Sequence, residues 1–383
     1  MPLHFDQAEY QSRQTRATQA LKDQGLDALL MFAPESHFWI SGYDTFGFAM
    51  FQCMVLTAAG DLHLLTRMPD LRQAQQTSTL PDDHIHIWQE TFDSSPAQDL
   101  ARLLSDLGVQ GRIGFENATV GLTDANGQAV RGAISGLVEA PHLIRTLRQT
   151  KSKAEVAMHR KAAALSDDAL DAGLALTAPG AFEGDILAAM QGAVFKGGGD
   201  YAGNEFIIGS GQHALLCRYY SGRRYLDAQD QLTLEWSGAY ARYHAAMMRT
   251  VIVGHPSEVQ KRMHAACEEA LAACEAAIRP GAPMGDVHAA HCRVFDGHGF
   301  GHARLQACGY GMGAIYNPIW VDFPMFTAGN TTIMQKNQVF FLHMILMDSD
   351  SGHAMTLGHS VLVTEAGCER LSRHGTHLLF SDG

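Results

Sequence analysis

The chain has 383 residues, 46% hydrophobic and 18% charged, enough for two or three domains with sizeable cores. A formal net charge of -12 argues against nucleic acid or anionic membrane as a partner, and no apolar run reaches the roughly 18 residues of a membrane span. The seven cysteines contain no CxxC pair, which fits free thiols in a reducing compartment better than disulfides or a zinc knuckle.

The segment from Met1 through Asp6 to Arg13 is polar, so no signal peptide is expected and a cytoplasmic protein is read. Gln7 to Gln24 places Ala17, Ala20 and Leu21 at helical spacing and predicts a surface helix. Leu26 to Phe32 is a short apolar run that reads as a buried strand. Gly60-Asp61 separates two further strands, Phe51 to Thr57 and Leu62 to Thr66. Ser95-Pro96 opens a helix through Leu107, closed by Gly108, and Arg112 to Phe115 is another strand. This alternation predicts an α/β layer domain over residues 1–148.

The basic stretch Leu143 to Ser152 marks the boundary. Residues 149–383 then predict an α+β domain. Its helices run from Lys153 to about Leu176, Glu183 to Phe195, Ser257 to Ile278 and Met284 to Asp296. Its strands fall near Phe206 to Ile208, Gln231 to Trp236, Ala239 to Val253, Val339 to Met347 and Ser360 to Thr364. No internal repeat or low-complexity segment is visible.

Several segments share one order and spacing. Arg145-Thr146-Leu147-Arg148-Gln149-Thr150-Lys151-Ser152-Lys153-Ala154-Glu155 is similar to the linker entering the catalytic domain of prolidases and creatinases. Gly209 to Ala214 resembles their active-site loop. Glu235 to Tyr240 with Tyr243 and Arg249-Thr250 resembles their hairpin ending in an Arg-Thr pair. Ile278-Arg279-Pro280-Gly281, the closing Val361 to Gly367 and Ser41-Gly42-Tyr43 also correspond. The chain thus resembles the creatinase, prolidase and methionine aminopeptidase superfamily over essentially its whole length. The resemblance implies a pita-bread catalytic domain behind a creatinase-type N-terminal domain.

Metallopeptidases of that superfamily hold two metal ions through two aspartates, a histidine and two glutamates, because a metal pair activates a bridging water. The corresponding positions here read Glu235, Ala246, Tyr310, His343 and Gly358, the last followed by His359. The resemblance therefore implies a degenerate metal site, with no metal and no other cofactor expected. A rebuilt mononuclear site from Glu235, His343 and His359 is the alternative. The creatine-binding positions of creatinases also differ: the catalytic-histidine position reads Arg218, and a glutamate position reads Met248.

What replaces those groups suits a carboxylate-bearing or zwitterionic small molecule, since Arg218 offers a bidentate fork. Tyr310 and His343 are candidate proton carriers, and Glu235 a candidate base or an ion-pair partner of Arg218. His359 and His244 are candidate substrate contacts, His244 alternatively a solvent-facing hairpin residue. Met247 and Met248 are expected to fill space left by the metals. In dimers of this superfamily the N-terminal domain approaches the partner's pocket, so Tyr43 and Phe48 are candidate lid residues, core packing being the alternative. A homodimer is expected. Three functions stand side by side: a metal-independent hydrolase or lyase acting on a C–N or C–X bond, resembling creatinase or ectoine hydrolase; an inactive binding protein; and a mononuclear metallohydrolase resembling Xaa-Pro peptidases.

Overall fold

A computed structural model of the chain describes residues 3–220 and 222–381. They fall into two units, Met1–Arg148 and Gln149–Gly383.

In the first unit the apolar run after Leu26 becomes the strand Ala28–Met31, fully buried on both sides. Alternation divides it: Leu29 and Met31 pack with Ala17 and Leu21 of the helix Gln7–Asp23, while Ala28 and Leu30 pack with Leu100 and Leu104 of the helix Pro96–Asp106. The strand pairs antiparallel with Cys53–Thr57 and parallel with Ile113–Phe115 inside a six-stranded mixed sheet. The α/β layering follows from this two-sided burial. Sequence patterning missed the helices Pro34–Ser41, Leu71–Thr77 and Asp124–Ala133. The first two are too short to show a period, and the third carries two glycines. The basic stretch is itself helical over Leu143–Gln149.

The second unit is α+β. Capping boxes at Ser152/Glu155 and Ser257/Gln260 start the helices Lys153–Leu174 and Glu258–Ala277. With Glu183–Lys196 and Met284–Gly297 they pack against a large sheet, nine strands among the described residues. Its centre is the hairpin Asp230–Tyr240 and Tyr243–Val253. The strand break expected after Trp236 is absent. Gly238 stays in the strand because a Cβ there would stand 2.1 Å from the Ala162 carbonyl oxygen, so a helix lies directly on it. The turn falls instead at Ala241 and Arg242, both at positive φ (48° and 64°), as a two-residue hairpin of primed type requires.

Register sets the functional face. Ile207 pairs with Glu235, Glu235 with Met248, Met248 with Gly358, and Gly358 with His343. These five residues form one row across five adjacent strands and share a face of the sheet. Tyr310 pairs with Phe341, two residues before His343, and therefore joins the same face.

Candidate active site

A cavity of about 110 Å³ opens on this row, lined by Glu235, His343, Tyr310, Arg218, Trp320 and Cys217 among others. The strand Asp230–Tyr240 carries Glu235 and the strand Val339–Asp348 carries His343. Tyr310 comes from the short strand Gly309–Gly311, and Arg218 from the loop after the turn Gly211–Leu215.

Glu235 receives no hydrogen bond from the described residues, and its carboxylate faces the cavity. Burial pushes its pKa up to about 7, against an opposing pull from the Arg218 guanidinium. The contact ion pair expected between Glu235 and Arg218 is not made among the described residues; the two act on each other through space. Arg218 lies exposed on its loop yet lines the cavity, so its charge remains available to an anion.

Tyr310 is buried, and its hydroxyl oxygen accepts a hydrogen bond from Trp320 Nε1 at 2.9 Å. Its own proton has no acceptor among the described residues. Burial first, and the Glu235 charge second, raise its pKa well above the usual value, so it remains a hydrogen-bond donor. The His343 ring stands 5.6 Å from the Tyr310 ring, centroid to centroid, and its Nδ1 has no partner. Burial lowers the His343 pKa to about 4, which keeps the imidazole neutral near pH 7. Glu235, Arg218, His343 and the Tyr310 hydroxyl, whose proton alone is unused, thus line one small space.

Other expected contacts lie elsewhere. His359 follows Gly358 by one residue, so the period of two sends it through the sheet to the opposite face. There its Nε2 stands 2.6 Å from Glu275 Oε1, and Arg370 donates twice to the same carboxylate. His359 therefore does not converge with Glu235 and His343. His244 is neither solvent-facing nor in the cavity. It is fully buried, its Nδ1–H donating to the Arg242 carbonyl and its Nε2 accepting from Gly203 N–H, both at 2.8 Å. Tyr43 belongs to the core of the first unit, with Gln52 Nε2 donating to its hydroxyl at 3.1 Å. Phe48 is half-buried in a 3-10 turn, Gly47–Ala49. Met248 and Ala246 pack in an apolar cluster with Tyr310 and Trp320.

Trp320 and Asn204 line the cavity without any preceding sequence signal. Both come from loops, where neither spacing nor pattern announces a site. A larger hollow of about 520 Å³ lies around Gln231, Asp230 and His353. Its polar groups are already paired: Gln231 donates to the Gly211 and Gly352 carbonyls, and Asp230 binds Arg224. The smaller cavity is the better candidate because its charged groups, Glu235 and Arg218, make no ion pair or hydrogen bond among the described residues.

Residues 157–365 match metallopeptidase family M24, and residues 13–150 match the creatinase/prolidase N-terminal domain. The chain is 27% identical to an uncharacterized hydrolase/peptidase of Sinorhizobium fredii, covering 99% of each chain. It is 26% identical to the ectoine hydrolase of Halomonas elongata, covering 97% of this chain and 96% of that one. Among solved structures it resembles an Xaa-Pro dipeptidase from Bacillus anthracis, with a TM-score of 0.85 and 18% identity over 97% of this chain and 100% of that one. With one profile spanning most of the second unit and the other most of the first, the chain belongs to metallopeptidase family M24, in the creatinase/prolidase superfamily.

Proposed function

We propose that this protein is a metal-independent hydrolase that cleaves a C–N bond in a small carboxylate-bearing or zwitterionic compound. The observation that carries this reading is the cavity lined by Glu235, Arg218, Tyr310 and His343, where the Glu235 carboxylate, the His343 Nδ1 and the Tyr310 proton have no partner among the described residues. The relative named ectoine hydrolase supports a hydrolase over a lyase.

Arg218 holds the substrate carboxylate at the cavity mouth. Glu235, with a pKa near 7, takes a proton from water as the water oxygen attacks the carbon of the C–N bond. The Tyr310 O–H and the neutral His343 ring donate hydrogen bonds to the charge that develops on the attacked group. Glu235 then returns its proton to the leaving nitrogen. The C–O bond forms, the C–N bond breaks, and one water is consumed. His343 serves here as a hydrogen-bond donor, because a pKa of about 4 makes it a poor proton store near neutrality.

The two-metal centre of family metallopeptidases does not fit these residues. Ala246 has no donor atom, and the Tyr310 hydroxyl is held by Trp320. Gly358 has no room for a carboxylate, since a Cβ would stand 2.4 Å from the Leu342 carbonyl oxygen. The mononuclear alternative loses its third ligand with His359 on the opposite face. A second reading, a binding protein without turnover, draws on the apolar filling by Met248 and Ala246. We place the protein in the cytoplasm as a homodimer, with Phe48 near the partner's pocket.

The test is a panel of small N-acyl and cyclic amidine carboxylates, assayed with and without chelator on wild-type, Glu235→Gln and Arg218→Ala protein. Chelator-resistant turnover that fails in Glu235→Gln supports the reading. Binding without turnover favours the second reading, and chelator-sensitive turnover restored by added metal overturns metal independence.

A further inference from the structure

Away from the cavity row, the helix Met284–Gly297 carries His288, His291 and Cys292. Their spacing of i, i+3 and i+4 puts all three on one helical face. Among the described residues this is the only group of three or more His, Cys, Asp or Glu whose ligand atoms all lie within 4.8 Å of one another. Cys292 Sγ is 3.8 Å from both His288 Nδ1 and His291 Nδ1. In a tetrahedral zinc site, with bonds of about 2.3 Å to sulfur and about 2.0 Å to nitrogen, neighbouring ligand atoms stand roughly 3.5 Å apart.

We propose that His288, His291 and Cys292 bind one zinc-class divalent cation, with a fourth position left to solvent. Two imidazoles and a thiolate select a borderline-soft ion over calcium or magnesium. His288 Nε2–H donates to the Gln306 carbonyl at 2.9 Å, which leaves the Nδ1 lone pair free and orients the ring from behind, as an outer-shell carbonyl does in zinc sites. His291 is fully buried, and its Nδ1 stands within reach of an ion held by the Cys292 sulfur. Cys292 is partly exposed, which gives an ion a way in. Binding releases the Cys292 thiol proton to solvent, and no redox step is involved. None of the site's three ligands lines the cavity, although His291 and His343 act on each other through space.

The experiment is cobalt(II) titration of the full chain, first stripped by dialysis against chelator, followed by ultraviolet and visible absorption. The expected result is one cobalt per chain, with a thiolate-to-cobalt band and the intense visible bands of a four-coordinate site. Both are displaced by zinc and weakened at least 100-fold in affinity in Cys292→Ser. Iodoacetamide labelling of wild-type protein, read by peptide mapping, adds a measurement that needs no variant: zinc should slow modification of Cys292 at least tenfold. No thiolate band, an unchanged band in Cys292→Ser that remains folded, or alkylation of Cys292 indifferent to zinc would each overturn the site.

Discussion

His343 and His359 sit on paired strands one register step apart, yet one faces a cavity with unspent polar atoms and the other closes a salt-bridged network with Glu275 and Arg370. Both are buried histidines, His343 at a position where the resemblance implies a metal ligand and His359 beside one. What separates them is strand parity. The sheet face that carries Glu235 and His343 leaves its charges without partners, and a buried polar group left so is costly unless a ligand completes it. The opposite face completes its charges internally, which marks it as structural. The contrast teaches that a degenerate catalytic face can be told from a packed one by whether its charges find counterions, since the Nδ1 atoms of His343 and His359 both lack a partner.

The comparison can be broken in several ways, beginning with the largest effect. Glu235→Gln should lower kcat on the best substrate by about 10³-fold while the protein stays folded, the range expected for losing a general base. An effect under tenfold would remove Glu235 from the chemistry. On the opposite face, Glu275→Ala leaves His359 and Arg370 without their shared carboxylate. It should cost about 3 kcal/mol of stability, seen as a lower urea midpoint, with KM unchanged. Arg218→Ala should raise KM for carboxylate substrates by about 30-fold, with far less effect on the corresponding neutral amides. Equal effects on both would deny Arg218 a carboxylate-anchoring role.

The smallest effect concerns pH. The Glu235 pKa is raised from 4.5 to about 7 in the folded chain, so the native state holds this proton more tightly than the unfolded state. Its favourable contribution is complete below pH 4.5 and is lost as pH rises through 7. Glu235→Gln should therefore match wild type in stability near pH 4 and exceed it at pH 8. A variant less stable than wild type at pH 8 would show that burial of the carboxylate is not what raises its pKa.

Much of this arrangement was legible in the sequence. The long helices carry capping boxes and periodic apolar faces, and Glu235, Tyr310 and His343 fell on positions that the sheet brings to one cavity. Three things were not legible. His359 looked like a neighbour of the Gly358 position, but adjacency along a strand means opposite faces across it. His244 looked polar and turn-bound, but the Gly203 amide, distant in sequence, caps its ring and holds it buried, and only the fold reveals that contact. Ser237-Gly238 looked like a turn, whereas Gly238 serves the close approach of a helix. Each miss involves a partner distant in sequence, which local pattern does not report.

The most direct measurement of the central claim is the kcat/KM of Cys292→Ser protein, with and without chelator, on the best substrate of the carboxylate panel. This variant separates the cavity from the proposed zinc site on the helix Met284–Gly297. The account predicts the same kcat/KM in both conditions. Loss of activity on chelation, restored by added divalent metal, would contradict it and return the cavity to metal-dependent chemistry.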